Sequence, residues 1–247
     1  MKAIIMAAGK GTRLQEAGNP MPKVLRRANG KPLLDYVFDA MPMIEKKDIT
    51  VVTGFMSEMV EEYYKDMGCS FQRQGDAAYG TGYAVMCGLE NDNFKDYHGD
   101  ILVVCGDAPV IKLSTVEGVI KMHEDEQNMA TLLSSDTKLK LPYGRIIRDE
   151  NGRVIDIREE KDCNEEEKKI TELNIGTYVF NADALRKGLE NINCENAAGE
   201  YYLTDVPPVL AKMGEKVNAY ITYDDDELVG VNTPDDLALV EKILSSR

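Results

Sequence analysis

Lys2-Ala3-Ile4-Ile5-Met6-Ala7-Ala8-Gly9-Lys10-Gly11-Thr12-Arg13-Leu14 decides how this chain is read. Lys2 to Ala7 is a short apolar run with little polar alternation, the mark of a strand covered on both faces. It passes directly into two glycines, a threonine and two cations. Glycine lets backbone N–H groups approach a phosphate closely, and Lys10 and Arg13 place positive charge beside them. The dinucleotide fingerprint would need a third glycine where Leu14 stands, and the P-loop spacing is also missing. The segment reads as a phosphate loop of another kind; taken alone, Gly-x-Gly equally suits an ordinary strand-to-loop turn.

The same strand type recurs at Ile49 to Thr53, Ile101 to Cys105 and Ile175 to Phe180. Helical patterns lie between these runs. Lys31 to Ala40 has Pro32 near its start and Leu33, Leu34, Val37 and Phe38 at helical spacing. Ser57 is the expected cap of a helix with Met59, Val60 and Tyr63 on one face. Ser114 to Glu126 carries Val116, Val119, Ile120 and His123 together. This order predicts an α/β protein with a largely parallel sheet. Between Arg145–Ile147 and Val154–Ile157, Asn151-Gly152 signals a hairpin, hence a small antiparallel side sheet. Thr233-Pro234-Asp235-Asp236 is a helix start with cap, proline and acidic first turn, running to about Ser245. No repeat or linker divides the chain, so residues 1–247 read as a single domain with a subdomain.

The chain has 247 residues with 29 basic and 43 acidic side chains, a formal net charge of -14. Such an acidic body, with no local basic stripe, disfavours nucleic acid or an anionic membrane as a partner. The mixed charges of Glu165 to Lys169 suit a solvated helix face. No apolar run approaches the ~18 residues of a membrane span, and no signal-peptide core is present. Five scattered cysteines without a Cys-x-x-Cys pair read as reduced thiols of a cytoplasmic protein. His98 and His123 are too few and too far apart for a histidine metal cluster.

Further motifs follow the glycine loop: Pro22-Lys23-Val24-Leu25, Gly30-Lys31-Pro32-Leu33-Leu34, Gly80-Thr81-Gly82-Tyr83-Ala84 and Cys105-Gly106-Asp107-Ala108-Pro109-Val110. Then come Tyr143-Gly144-Arg145-Ile146, Glu159-Glu160-Lys161-Asp162, Glu172-Leu173-Asn174-Ile175-Gly176, Glu200-Tyr201-Tyr202-Leu203-Thr204-Asp205 and Gly230-Val231-Asn232. In this order they resemble the sugar-1-phosphate nucleotidyltransferases over nearly the whole chain. The likeness is nearest to the N-acetylglucosamine-1-phosphate uridylyltransferase branch, found as a domain of a bifunctional bacterial enzyme. The resemblance implies a Rossmann-like, three-layer mixed sheet with helices on both faces and a small antiparallel sugar-binding subdomain. It also implies attack of a sugar-1-phosphate oxygen on the α-phosphorus of UTP, with pyrophosphate leaving and Mg²⁺ assisting.

A phosphomonoester has a second pKa near ~6, so this nucleophile is already ionised and needs no general base. The difficulty is anion meeting polyanion, which asks for positive charge and alignment. Arg13 and Lys23 are the neutralisers; by the resemblance they meet the β,γ-phosphates and the α-phosphate region. Met6, Ala7, Ala8, Gly9, Gly11 and Thr12 are assigned to the nucleotide with them. Asp107 follows a buried strand at its carboxyl end, where open α/β sheets place ligands, and there a carboxylate can hold Mg²⁺. The alternative is a turn aspartate before Pro109; the glycine loop in the same chain favours the metal. The resemblance makes Asn232 the second metal ligand, although it could instead shape the helix entry. It further implies Gln74, Gly80 and Thr81 for the base and Gly144, Glu159 and Asn174 for the sugar, against readings as hairpin glycine, surface glutamate and strand-end asparagine.

The chain departs from the nearest branch in several places. The segments 14–21 and 74–80 are longer than usual, Cys105 replaces an aromatic residue, and Tyr83 stands where histidine is common. The chain ends at Arg247, before the hexapeptide β-helix of the bifunctional enzyme, so acetyl transfer and β-helix trimerisation are not expected of it. The remaining alternatives are a pyrophosphorylase for another sugar or nucleotide, and a non-catalytic sugar-nucleotide sensor.

Overall fold

The computed structural model describes residues 1–15, 20–75 and 79–247. Its strands and helices in chain order are β1 Lys2–Ala7, β2 Arg27–Ala28, β3 Lys31–Pro32, α1 Leu33–Asp39, β4 Ile49–Thr53, α2 Ser57–Tyr64, β5 Ser70–Arg73, α3 Thr81–Leu89, β6 Asp100–Cys105 and α4 Leu113–Glu126. They continue with β7 Ala130–Asp136, β8 Arg145–Arg148, β9 Val154–Arg158, β10 Glu172–Asn181, α5 Ala182–Leu189, α6 Val206–Lys212, β11 Val217–Thr222 and α7 Pro234–Ser245.

The main sheet runs in the order β11-β7-β10-β6-β1-β4-β5. β1 pairs in parallel with β4 on one side and β6 on the other. The strand order therefore reverses beside β1, and ligand crevices of α/β sheets open beyond the carboxyl ends of strands at such a point. Alternation along β1 sends Ile4 to one face and Ala3, Ile5 and Ala7 to the opposite one. Ile4 joins the core made with Val85 of α3, Leu185 of α5 and Leu210 of α6. Ile5 joins Phe38 of α1, Val60 of α2 and Val116 of α4. Helices on both faces make the predicted three layers. A third cluster packs Leu14, behind the glycine loop, against Val231 and against Val240 and Ile243 of α7.

Ile175 to Phe180, within β10, is a buried strand as expected, but it runs antiparallel to both β6 and β7. The chain leaves β7 at the carboxyl edge of the sheet, makes the β8–β9 hairpin, and must re-enter from that same edge. The hairpin pairs as expected, and a single register position, Leu173 with Arg145, ties it to β10. Its loop is longer than a two-residue turn: Gly152 donates to the Asp149 carbonyl and Asp149 to the Arg153 carbonyl, with Gly152 at φ 78°. This is the three-residue loop with glycine in the left-handed position.

Two helix details differ from expectation. Lys31 and Pro32 pair with Ala28 and Arg27, so α1 starts at Leu33. Ser57 is the first residue of α2 and not its cap; Met56, at φ 51°, holds the cap position without a side-chain bond. Met59 and Tyr63 of α2 are exposed, while Val60 and Tyr64 are buried. Tyr64 is selected because its ring meets Phe38 at 5.6 Å and its hydroxyl donates to Asp35 at 2.6 Å. The Glu165–Lys169 charge run lies on a mostly exposed turn whose only helical part is the short 3₁₀ segment Glu167–Lys169, with the ion pairs Lys168–Glu165 and Lys169–Glu166. Among the described residues no helix is long and apolar enough to cross a membrane.

Candidate active site

Two adjoining chambers open at the carboxyl ends of β1, β4 and β6. The larger, about 660 Å³, is lined by Met6 to Arg13, Lys23, Gln74, Gly80 and Thr81. The smaller, about 220 Å³, is lined by Gly144, Glu159 and Asn174. Met6, Thr81, Cys105, Asp107 and Asn232 belong to both walls. Every residue assigned to the site from the sequence therefore lines one chamber or their junction, and Arg13 and Asp107 share one cleft.

The glycine loop is shaped by two different requirements. Gly11 sits at φ 55°, and a Cβ there would stand 2.8 Å from the Lys23 Cβ. The loop can thus lie flat on the Lys23 stem only with glycine at this position. Gly9 has nothing within 4 Å of a built Cβ, so its use is backbone access to the chamber. Gln15 ties the loop: its amide donates to the carbonyls of Lys10 and Met21, and its oxygen accepts from the Met21 N–H.

Lys23 is buried. Its ammonium donates to Asp107 Oδ2 and, at 2.9 Å, to Asn232 Oδ1. Asp107 and Asn232 are brought together by the Val231 N–H, which donates to the Asp107 carbonyl at 3.1 Å. The entry to α7 is capped by Thr233 and Asp236 in a reciprocal box, and Asp236 also accepts the Asn232 N–H at 2.9 Å. The Asn232 side chain is therefore not the cap and is available to the cleft. Among the described residues no group of three His, Cys, Asp or Glu gathers to hold a metal. Two oxygens converging on one cation nevertheless suit Mg²⁺, which takes one or two protein oxygens and completes its shell with phosphate and water.

The Gly80-Thr81 turn is strapped down by the segment around Tyr201. Gly82 donates to the Tyr201 carbonyl at 2.8 Å, and Tyr201 donates to the Tyr79 carbonyl at 2.7 Å. At φ 91°, a Cβ on Gly80 would stand 2.6 Å from the Tyr201 oxygen. The Thr81 hydroxyl accepts from the Leu203 N–H at 3.0 Å, which leaves its proton to donate. The longer segments expected at 14–21 and 74–80 lie partly outside the described residues, at 16–19 and 76–78.

In the smaller chamber Asn174 donates its backbone N–H to the Gly144 carbonyl at 2.8 Å and its amide to Tyr178 at 2.7 Å. A bulge follows in β10, with Gly176 at φ 83°. Glu159 accepts from the Thr204 hydroxyl at 2.9 Å. Burial pushes the Glu159 carboxyl above its ordinary range, partly offset by that hydroxyl. Cys105 is pushed up to about 12 by burial and by the Asp107 carboxylate, so it remains a neutral thiol with no nucleophilic role. Gln15, Tyr143 and Thr204 had no assigned role in the sequence. Tyr143 and Thr204 stand inside quoted motifs, whereas nothing in the spacing marks Gln15.

The glycine loop after β1 and the carboxylate after β6 thus stand together where two chambers join. The sequence profile described as nucleotidyl transferase matches residues 2–227. The chain belongs to that family. It is 41% identical over 245 residues to the bifunctional protein GlmU of Clostridium botulinum strain 657, covering 99% of this chain and 52% of the relative. It is 43% identical over 246 residues to the protein of the same name from Clostridium perfringens strain SM101, again 99% of this chain and 52% of the relative. The chain thus spans about half the length of the curated relatives it matches. Among solved structures, a UDP-glucose pyrophosphorylase complexed with UDP-glucose superposes with a TM-score of 0.77 at 20% identity, covering 100% of this chain and 99% of the other. At that identity the likeness speaks to the fold.

Proposed function

We propose that this chain, as one nucleotidyltransferase domain over residues 1–247, transfers a uridylyl group from UTP to N-acetylglucosamine-1-phosphate. The products are UDP-N-acetylglucosamine and pyrophosphate. The observation that carries this reading is the meeting of two chambers at Asp107 and Asn232, both bonded to Lys23 of the larger chamber, where two phosphates could be brought into line.

Backbone N–H groups of the glycine loop and the cations Lys10 and Arg13 would hold the triphosphate in the larger chamber. Gln74, Gly80 and Thr81 would take the base. The sugar would lie in the smaller chamber, where Glu159 and Asn174 offer a carboxylate and an amide to hydroxyl and acetamido groups. Its phosphate oxygen, already ionised, attacks the α-phosphorus; the new P–O bond forms as the bond to the β-phosphate oxygen breaks. Arg13 neutralises the departing pyrophosphate, and Lys23 neutralises charge at the α-phosphoryl group. Asp107 and Asn232 would hold Mg²⁺, which when bound supplies electrostatic stabilisation of phosphoryl charge. Five free cysteines suit a reducing compartment, which supports a cytoplasmic location.

Pyrophosphate release measured over a panel of triphosphates and sugar-1-phosphates with Mg²⁺ tests this reading. UTP with N-acetylglucosamine-1-phosphate should be fastest. Lys23→Ala and Asp107→Ala should each lower kcat by about 10²–10³-fold without unfolding the protein. A different fastest pair refutes the substrate assignment, and silence over the whole panel refutes catalysis.

A further inference from the structure

Tyr143 precedes Gly144 of the smaller chamber, yet its side chain reaches the segment that ends in Asn232. The hydroxyl donates to the Leu228 carbonyl at 2.5 Å and accepts from the Gly230 N–H at 3.2 Å. Gly230 also donates to the Leu228 carbonyl at 3.1 Å, so residues 228–230 close a tight turn around one phenol oxygen. The opening is matched to that oxygen: a Cβ on Gly230 would stand 3.4 Å from it. Two residues further on, Asn232 faces Lys23 and Asp107. On the other side of Tyr143, the Gly144 carbonyl receives the Asn174 N–H. One residue pair thus touches the floor of the sugar chamber with its backbone and the carrier of Asn232 with its side chain.

We propose that Tyr143 is a positioning residue: its hydroxyl fixes the 228–230 turn and thereby sets Asn232 beside Asp107 as a two-oxygen cation seat joined to the sugar chamber. This inference rests on the metal role given above to Asp107 and Asn232. The Val231 N–H bond to the Asp107 carbonyl fixes the backbone at one point, and the Asp236 carboxylate fixes it at another. Without the phenol oxygen the turn keeps its ends but loses its inner partner. The loss falls on the placement of Asn232 more than on the fold.

The test is a double-mutant cycle on the protein saturated with a UTP analogue carrying an α,β-methylene bridge. Mn²⁺ binding is followed by electron paramagnetic resonance, with thermal melting and, without the analogue, turnover of UTP measured on the same protein preparations. Tyr143→Phe should weaken Mn²⁺ binding about three- to tenfold, the scale of one lost hydrogen bond. It should lower kcat while leaving the KM for sugar phosphate within about twofold, and the melting temperature should stay near wild type. In an Asn232→Ala background the Tyr143→Phe change should add nothing, because the group it positions is gone. Additive losses in the double variant, or unchanged Mn²⁺ binding in Tyr143→Phe beside a clear loss in Asn232→Ala, overturn the positioning role alone. Unchanged Mn²⁺ binding in Asn232→Ala overturns the metal role and this inference with it.

Discussion

Gly9 and Gly11 belong to one motif, yet alanine at the two positions should have opposite consequences. At Gly11 the backbone is left-handed, with φ 55°, and the new Cβ would stand 2.8 Å from the Lys23 Cβ. The left-handed conformation costs an alanine about 1–2 kcal/mol, and forcing carbon into a filled contact costs about 1–3 kcal/mol more. A total of roughly 2–5 kcal/mol should lower the melting temperature by about 5–15 °C in a protein of this size. To the extent that the Lys23 stem yields, its ammonium withdraws from Asp107 and Asn232, and the cost moves from stability into kcat. Gly9→Ala meets nothing within 4 Å and no positive φ. Its melting temperature should match or slightly exceed wild type, since alanine restricts the unfolded chain, while its methyl at the chamber wall raises the KM for nucleotide. Differential scanning calorimetry with steady-state kinetics on both variants decides the matter. A Gly11→Ala protein that melts and turns over like wild type would show that the loop does not rest on Lys23, as would equal destabilisation by the two changes.

Two further outcomes follow from the carboxylates gathered around Glu159. Asp205 is raised to about 6, by burial first and then by Asp156 and Glu159. A folded pKa above the unfolded value means that folding holds a proton through that window, so stability falls as pH rises from about 4 to 6 and the penalty is full above it. Asp205→Asn should therefore raise the melting temperature at pH 7.5, with the gain shrinking toward pH 4; a loss at pH 7.5 contradicts the assignment. Glu159 is raised by burial, and its ionised form would be the stronger acceptor for sugar hydroxyls, with both oxygens free of a proton. The KM for sugar phosphate should thus rise as pH falls, starting above the ordinary carboxylate range, and Glu159→Gln should remove the part of that rise not due to the phosphate itself. Identical pH profiles for the two proteins would rule out the sugar contact.

Local chemistry made much of the fold legible. Thr233-Pro234-Asp235-Asp236 specifies its own cap, and α7 begins as read. Asn151-Gly152 marks the hairpin, although the loop is one residue longer than the simplest turn. Helix α2 departs from its sequence pattern at its start and on part of its face: Met56 in a left-handed conformation takes the cap, and Tyr64 rather than Tyr63 is buried beside Val60 because it meets Phe38. The reversal of β10 depends on where the chain re-enters the sheet, which a buried apolar run does not encode. The candidate site shows the same division. Its residues stand out as motifs, but the convergence of Lys23 with Asp107 and Asn232 joins positions 84 and 209 residues apart. Gln15 and the Tyr143 hydroxyl act on backbone carbonyls, and such bonds leave no spacing to read.

If a chain with net charge -14 is to bind a triphosphate, as proposed, it must separate the charge of its body from the charge of its cleft. Distance does part of this, because at physiological ionic strength exposed charges are screened beyond about 8 Å. Burial does the rest. Lys23 is only 9% exposed, so its ammonium acts through poorly screening surroundings, whereas the exposed ion pairs such as Lys168–Glu165 are largely spent on water and on each other. The same burial makes Asp107 and Asn232 necessary, since an ammonium taken out of water must be met by oxygen. The oxygens that meet the Lys23 side chain are therefore the ones that suit a divalent cation. On the proposed reading, Asp107 and Asn232 would hold the metal and a substrate phosphate would take their place beside Lys23, so each charge would keep an opposite partner.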